Sequence, residues 1–177
     1  PSGPQQLDID LARWRERLEA HGDIHGFHRV LDSRHGVLFT EDDDILLVSF
    51  EEAGRMRGAP AGLPAALGVA GRAGWSQLCL YCEGDSFFRS KAVYAFFDEL
   101  VDTGFFDRFD HVVFTGAGPC GYAAASFSVT APGASAVLIR PLATLDPTRV
   151  GWDHRYTSLR RTEFADRYGY APDMLEA

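Results

Sequence analysis

The sequence predicts an α/β fold, a three-layer sandwich in which helices cover both faces of a mostly parallel sheet of about six strands. From Ile45 onward, short apolar runs typical of strands alternate with longer segments of helical periodicity. The 177 residues suffice for one hydrophobic core, and 46% of them are hydrophobic, as in ordinary globular domains. Residues 112–124 join an apolar strand to an alanine-rich helix through a turn of small residues. All three features are typical of strand–helix–strand units with right-handed crossovers.

The elements follow in order along the chain. A first helix is predicted over residues 7–20, where leucine and tryptophan recur at helical spacing and Gly22 marks the end. The acidic residues 41–44 predict a hairpin turn between the second and third strands, so the sheet has an antiparallel start. The pattern as a whole predicts strands over 27–31, 36–40, 45–50, 77–82, 111–115 and 135–140, and helices over 62–72, 90–103, 119–130 and 156–168. We expect a disordered lead over residues 1–6 and a single domain over residues 7–177.

Composition excludes several classes of partner and cofactor. The formal net charge of −8 argues against nucleic acid and against docking on anionic membranes. Three cysteines without a disulfide-like framework, and no signal peptide or membrane span in the pattern, predict a protein of the reducing cytoplasm. Cys79 and Cys82 lie three apart on a predicted strand, so their thiols point to opposite faces and form neither a redox pair nor a zinc site.

A second possible metal site is also rejected. Four histidines, at positions 21, 25, 28 and 35, lack the helical face and the spacing of a metal site. We therefore predict neither a metal nor a cofactor.

The turn between the fifth strand and its helix has the layout of a nucleophile elbow, in which a serine normally sits at the tip between small residues. Here Gly116 and Cys120 are the small flanks, and Gly118 is at the tip. A positive φ at the tip costs glycine nothing. The next residue, Pro119, has no N–H to donate to an oxyanion. The elbow therefore lacks both its nucleophile and one oxyanion donor.

One alternative hypothesis is that the protein is an enzyme that uses Cys120. Cys120 becomes the nucleophile of an acyl hydrolase or acyltransferase if the register of the turn shifts by two residues. His154 is the only histidine beyond the elbow, and Asp153 precedes it, so the two would serve as base and acid. The competing interpretation makes Cys120 a small residue packed between helix and sheet.

The chain resembles the α/β-hydrolase fold, and more closely a bacterial hydrolase-like group whose elbow runs into Gly-Gly-Tyr-Ala-Ala. Here residues 120–124 read Cys-Gly-Tyr-Ala-Ala. Residues 83–89, 141–147 and 167–174 extend the similarity, which spans roughly residues 20–177. Members with a nearly identical Gly-Pro-Cys-Gly-Tyr elbow are often labelled phosphoadenosine phosphosulfate reductase, and the resemblance implies that label here.

The residues do not favour the chemistry of that reductase. It requires a glycine-rich phosphate loop and a reactive cysteine near the C-terminus. Lys91, the only lysine, follows no such loop, and Cys120 is the last cysteine. The leading hypothesis is therefore a hydrolase-like scaffold that does not hydrolyse esters and serves as a binding or assembly module.

A ligand pocket and a partner surface follow from the predicted sheet. Ligands of open α/β sheets bind at the carboxyl ends of the strands. The pocket is therefore predicted among five residues at that edge, with Arg89 able to hold an anionic group: Glu51, Asp85, Phe88, Arg89 and Gly118. The strand that starts at Ser135 and ends at Arg140 is the last one predicted. Its bare apolar edge predicts a homodimer or a partner chain.

Overall fold

The computed structural model describes residues 4–59, 61–146 and 148–160. The strands are β1 Gly26–Val30, β2 His35–Thr40, β3 Ile45–Glu52, β4 Ser76–Cys82, β5 His111–Ala117 and β6 Ser135–Ile139. The helices are α1 Pro4–His25, α2 Ala53–Gly58, α3 Ala65–Ala73, α4 Lys91–Asp102 and α5 Pro119–Phe127. The six strands form one sheet in the order β1-β2-β4-β3-β5-β6, which confirms the α/β fold class.

The sheet is antiparallel on one side and parallel on the other. β2 runs antiparallel to β1 and to β4, while β3 runs parallel to β4 and β5, and β6 runs parallel to β5. The predicted hairpin of β2 and β3 is wrong, because β4 lies between them. The acidic turn instead crosses the start of β4, where Ser76 Oγ accepts from Asp42 N–H and donates to Asp43 O, both at 2.8 Å.

Helices cover both faces of the sheet. On β4, Leu78, Leu80 and Cys82 face the larger core cluster, to which α4 and α5 also contribute. Cys79 and Tyr81 face a second cluster with residues of α1 and α2. Alternate side chains of one strand point to opposite faces. The two thiols therefore lie in different clusters, as the spacing predicts.

The first helix differs from its predicted bounds at both ends. It begins at Pro4, so residues 4–6 are helical rather than a disordered lead, and it continues past Gly22 to His25. Gly22 does not end the helix. A Cβ at Gly22 would lie 2.5 Å from the backbone nitrogen of His28, so the glycine lets α1 and β1 approach closely.

Two further segments differ from the sequence predictions. Helix α2 follows β3 directly and was not predicted. Residues 156–160 form turns rather than the start of a helix. The rest of that predicted helix, residues 161–168, and the resembling segment 167–174 lie outside the described residues. Within the described part of the chain, no helix combines the length and the apolar character needed to cross a bilayer.

Candidate functional site

The turn between β5 and α5 has the backbone of an elbow with glycine at its tip. Gly118 has φ 56° and ψ −122°, a conformation that residues with a Cβ rarely adopt. Its N–H donates to Ile139 O at 2.9 Å, and its carbonyl accepts from Tyr122 N–H at 3.1 Å. A Cβ at Gly118 would meet no atom within 4 Å. The tip is therefore open to the outside, and it carries no side chain.

The small residues around the tip let strand and helix touch. A Cβ at Gly116 would lie 2.3 Å from the carbonyl oxygen of Cys120, and a Cβ at Gly121 would lie 3.0 Å from Gly116 O. Pro119 occupies the first position of α5, where its missing N–H costs no helical hydrogen bond. The elbow thus keeps its shape without the two groups that would act on a substrate.

Cys120 lies beside the tip rather than on it. Burial, together with smaller effects of the nearby Cys82 and Glu51, raises the pKa of its thiol to about 12. The side chain packs against the larger core cluster while lining a cavity. A thiol with such a pKa is almost entirely protonated at neutral pH and is a poor nucleophile.

His154 and Asp153 do not join Cys120 in a catalytic arrangement within the described residues. The carboxylate of Asp153 accepts from the guanidinium of Arg155 at 2.8 and 3.0 Å. His154 is exposed and takes part in no described hydrogen bond. The arrangement of the sequence hypothesis is therefore not formed.

A cavity of about 620 Å³ opens at the carboxyl ends of β3, β4 and β5. Three of the five predicted pocket residues, Glu51, Asp85 and Phe88, lie in its wall. Gly118 is not part of the wall. Arg89 lines a neighbouring cavity of about 440 Å³ instead. The wall of the larger cavity is mainly apolar and includes Phe50, Met56, Leu63, Ala66, Cys120 and Ile139.

The two acids at the end of β3 accept hydrogen bonds from the N-termini of two helices. Glu51 accepts from Ala65 N–H at 2.8 Å and Ala66 N–H at 3.0 Å, so its carboxylate caps α3 from outside that helix. Glu52 is the N-cap of α2 and accepts from the N–H groups of residues 54 and 55. Sequence analysis placed Glu51 in a ligand pocket but missed this capping role.

Arg89 is hydrogen-bonded to the hydroxyl of Tyr122. Its guanidinium donates to Tyr122 Oη at 2.6 Å and lies 5.4 Å from the centre of that ring. It also donates to Arg160 O at 3.4 Å. These contacts fix the guanidinium between the β4–α4 loop and α5. The predicted grouping of Arg89 with Asp85 and Gly118 around one ligand is not formed.

One buried polar network was missed by the sequence analysis. His35 Nε2 and Ser86 Oγ are 2.8 Å apart, and His35 Nδ1 lies 2.9 and 3.0 Å from the two carboxylate oxygens of Asp32. Ser86 also accepts from Phe88 N–H at 3.1 Å, and Ser90 Oγ donates to Asp32. Asp32 and His35 are only three residues apart, but no local motif connects them to Ser86 and Ser90. The pairing of β2 with β4 brings them together.

The loop next to this network has an unusual backbone conformation at Phe87 and Phe88. Phe87 and Phe88 have φ values of 54° and 57°, and non-glycine residues seldom occupy this region in succession. Both side chains are buried, Phe88 against Phe50 with ring centres 4.9 Å apart. The hydrogen bond from Phe88 N–H to Ser86 fixes this part of the loop. Strained backbone of this kind is concentrated at functional sites.

The other histidines make separate contacts. His21 lies 3.0 Å from Thr40 Oγ1, and His28 lies 2.7 Å from Tyr81 Oη. In the described part of the chain, no group of three or more His, Cys, Asp or Glu side chains is placed to hold a metal ion.

Comparison with known proteins gives structural similarity only. No family model matches the chain, and no curated protein matches it. The glycosylation-associated protein complex Gap123 of Streptococcus agalactiae contains a similar chain, with a TM-score of 0.50 and 14% identity over 67% of this chain and 24% of that one. The capsule O-acetyltransferase of Neisseria meningitidis serogroup A has a TM-score of 0.49 and 10% identity over 81% of this chain and 63% of that one.

The chain spans about a quarter of the Streptococcus chain that it resembles. At such low identity the likeness concerns the fold alone. The strand order independently gives the same architecture, an α/β fold with helices on both faces of a six-stranded mixed sheet.

Proposed function

We propose that this chain is a ligand-binding module built on a hydrolase-like scaffold, and that its elbow takes no part in covalent chemistry. The observation that carries the proposal is the pair Gly118–Pro119. Gly118 holds the backbone of a nucleophile position without a side chain, and Pro119 has no N–H for an oxyanion. Catalysis at an elbow needs both groups, whereas binding in the adjacent cavity needs neither.

The cavity supports a neutral or cationic ligand with apolar parts. Its wall combines apolar side chains with three acids, Glu51, Glu52 and Asp85, which outnumber its one base, Arg55. These acids disfavour an anionic ligand, because its negative charge would be repelled in a partly desolvated site. The volume of about 620 Å³ lies within the range of small-molecule sites.

Neither alternative enzyme is favoured by the thiols. Burial raises the pKa of Cys82 to about 11 and that of Cys120 to about 12, and it raises that of Cys79 well above the ordinary value of a thiol. Acyl transfer through Cys120 and sulfonucleotide reduction both need a thiolate at neutral pH. A stabilising thermal shift with phosphoadenosine phosphosulfate would support the reductase label.

Binding is tested with Nile red, a neutral apolar dye, by fluorescence titration of the wild-type protein. We expect saturable binding that the substitution Ala66→Trp removes by filling the cavity. Ala95→Trp places the same side chain on the exposed face of α4 and serves as the control. Equal binding by both variants and the wild type would overturn the proposal.

We also propose that a second copy of the chain pairs with the edge of β6. In the described residues β6 pairs with β5 on one side, and its other side carries no described strand. Val137 and Ile139 are 56% and 57% exposed. An antiparallel pair of β6 strands about a two-fold axis would satisfy the edge backbone groups of both copies.

A further inference from the structure

We propose that Ser86, His35 and Asp32 form a serine-nucleophile centre that cleaves neutral carboxylic esters, at a position unrelated to the elbow. The proposal goes beyond ligand binding. It does not require that the elbow act, and it locates covalent chemistry in the loop after β4. Ser86 belongs to the walls of both cavities, so a bound ligand can approach it from the larger one.

The hydrogen bonds assign one role to each side chain. The carboxylate of Asp32 can only accept, so His35 Nδ1, which lies 2.9 Å from Oδ1, carries the proton and donates the hydrogen bond. A neutral imidazole then has its free lone pair on Nε2, and the Ser86 hydroxyl donates to it across 2.8 Å. This is the order of nucleophile, base and orienting acid that activates a serine.

Burial and charge favour the protonation states that the arrangement needs. His35 is 5% exposed, and burial lowers its pKa below the usual value even though Asp32 raises it. Burial tends to raise the pKa of Asp32, but hydrogen bonds such as those from Ser90 and His35 outweigh it and lower the pKa to about 2. At neutral pH the imidazole is therefore an unprotonated base beside an ionised acid.

The fold positions the three residues on different segments. Asp32 lies in the turn after β1, His35 is the first residue of β2, and Ser86 follows the end of β4. In the antiparallel register His35 pairs with Cys82, which brings the serine of the following loop to the imidazole. His35 is held by the sheet, and Ser86 lies in the loop only four residues beyond Cys82, the strand partner of His35, so the strand register places the nucleophile beside the base.

An oxyanion donor is available next to the nucleophile. Among the hydrogen bonds of the described residues, none uses the backbone N–H of Phe87. That group directly follows Ser86, the sequence position from which serine hydrolases donate to the oxyanion. The positive φ of Phe87 sets the direction of this part of the loop, and hydrogen bonds at Ser86 and Arg89 hold it.

The reaction balances with water as the only co-reactant. Ser86 Oγ attacks the ester carbonyl carbon while its proton passes to His35 Nε2, and the oxyanion accepts from Phe87 N–H. The intermediate collapses by breaking the bond to the alcohol oxygen, which takes the proton from Nε2. Water then attacks the acyl carbon and gives a proton to His35 Nε2. The bond between that carbon and Ser86 Oγ breaks, the acid is released, and Oγ takes the proton back from Nε2.

The substrate class follows from the wall of the larger cavity. Apolar residues such as Phe50 and Met56 favour an apolar acyl group. The acids of this wall, Glu51, Glu52 and Asp85, outnumber Arg55, and this excess of negative charge disfavours an acidic substrate. We therefore expect uncharged esters with short to medium acyl chains to react best.

The decisive experiment treats the folded wild-type protein with a fluorophosphonate and maps the adduct by peptide mass spectrometry. We expect a single adduct on Ser86. Ser86→Ala should abolish labelling and lower kcat/KM for p-nitrophenyl butyrate at least about a thousandfold. Ser135→Ala, at the start of β6 and outside the walls of both cavities, should change neither. A folded wild-type protein without an adduct on Ser86 overturns the proposal, whether or not Ser86→Ala folds.

Asp32 is a positioning residue and needs a separate readout. Because Asp32 raises the pKa of His35 while Arg34 lowers it, Asp32→Asn should move the pH midpoint of labelling to lower pH. A slower labelling rate whose pH midpoint is the same as that of the wild type would contradict this role. Nile red titration keeps the two proposals apart: a dye-binding protein that is never labelled retains the ligand site and loses the catalytic one.

Discussion

The carbonyl of Cys120 lies against Gly116 so closely that a Cβ on the glycine would be 2.3 Å from the oxygen. This contact joins the C-terminal end of β5 to the first turn of α5. It involves backbone on both sides, so no side chain can rotate away to make room. The small residue before the elbow is therefore required by the helix behind it rather than by a ligand.

Gly116→Ala should therefore destabilise the protein more than Gly118→Ala. The first substitution must push α5 away from the sheet, and overpacking of this kind costs about 3 kcal/mol or more. The second meets open space and pays only for its backbone conformation, about 1 to 3 kcal/mol. Urea unfolding of both variants measures the difference. Equal losses would contradict the close contact.

The elbow could be predicted because its signal is local. Gly118 and Pro119 are adjacent, the alanines of α5 begin four residues after Pro119, and glycine and proline each constrain the backbone locally. The six strands were predicted for the same reason, since apolar runs mark them one by one.

The order of the strands could not be predicted in this way. Nothing in residues 41–44 shows that β4 enters between β2 and β3. The Asp32–His35–Ser86 network depends on that insertion, so it escaped sequence analysis. The capping role of Glu51 escaped for a related reason, because its partners begin a helix 14 residues away.

Glu51 supplies the cap that α3 lacks. The N-cap residue of that helix is Pro64, which makes no side-chain capping bond, while both carboxylate oxygens of Glu51 accept helix N–H groups. Glu51→Ala should lower the free energy of unfolding by about 1 to 2 kcal/mol. Glu51→Gln retains one acceptor and should lose less. A loss in the glutamine variant as large as in the alanine variant would indicate that charge, not acceptance, matters.

The thiol of Cys120 should be slow to react in the folded protein. A pKa of about 12 leaves so little thiolate at pH 7.5 that alkylation should be at least about a hundredfold slower than for an exposed cysteine. Iodoacetamide labelling with and without urea, read by peptide mass spectrometry, provides the measurement and its unfolded control. Rapid labelling of native Cys120 would instead favour the cysteine enzyme.

Asp32 should make stability depend on acid pH. Its folded pKa of about 2 lies below the ordinary value of 3.8, so its contribution is fully present above pH 3.8 and is lost as pH falls through about 2. Asp32→Asn removes charge-assisted hydrogen bonds and should cost about 1.5 to 3 kcal/mol at pH 7. The substitution should also make the free energy of unfolding less dependent on pH between pH 3.8 and about 2.

Urea midpoints measured at several pH values test both expectations. Asp42→Asn is the control, because the exposed Asp42 side chain makes no described hydrogen bond. A variant at Asp32 that keeps the wild-type acid dependence would show that other carboxylates carry it.

The exposed face of β6 should control self-association. Light scattering of the wild type is expected to give the mass of a dimer, and Val137→Lys should give a monomer, because a lysine on an edge strand opposes strand pairing. Val129→Lys is the matched control, since Val129 is 62% exposed but lies outside the sheet. A wild type that stays monomeric at high concentration would rule out the β6 pair. A dimer that survives Val137→Lys would place the interface on another surface, so the two results together distinguish an edge pair from any other association.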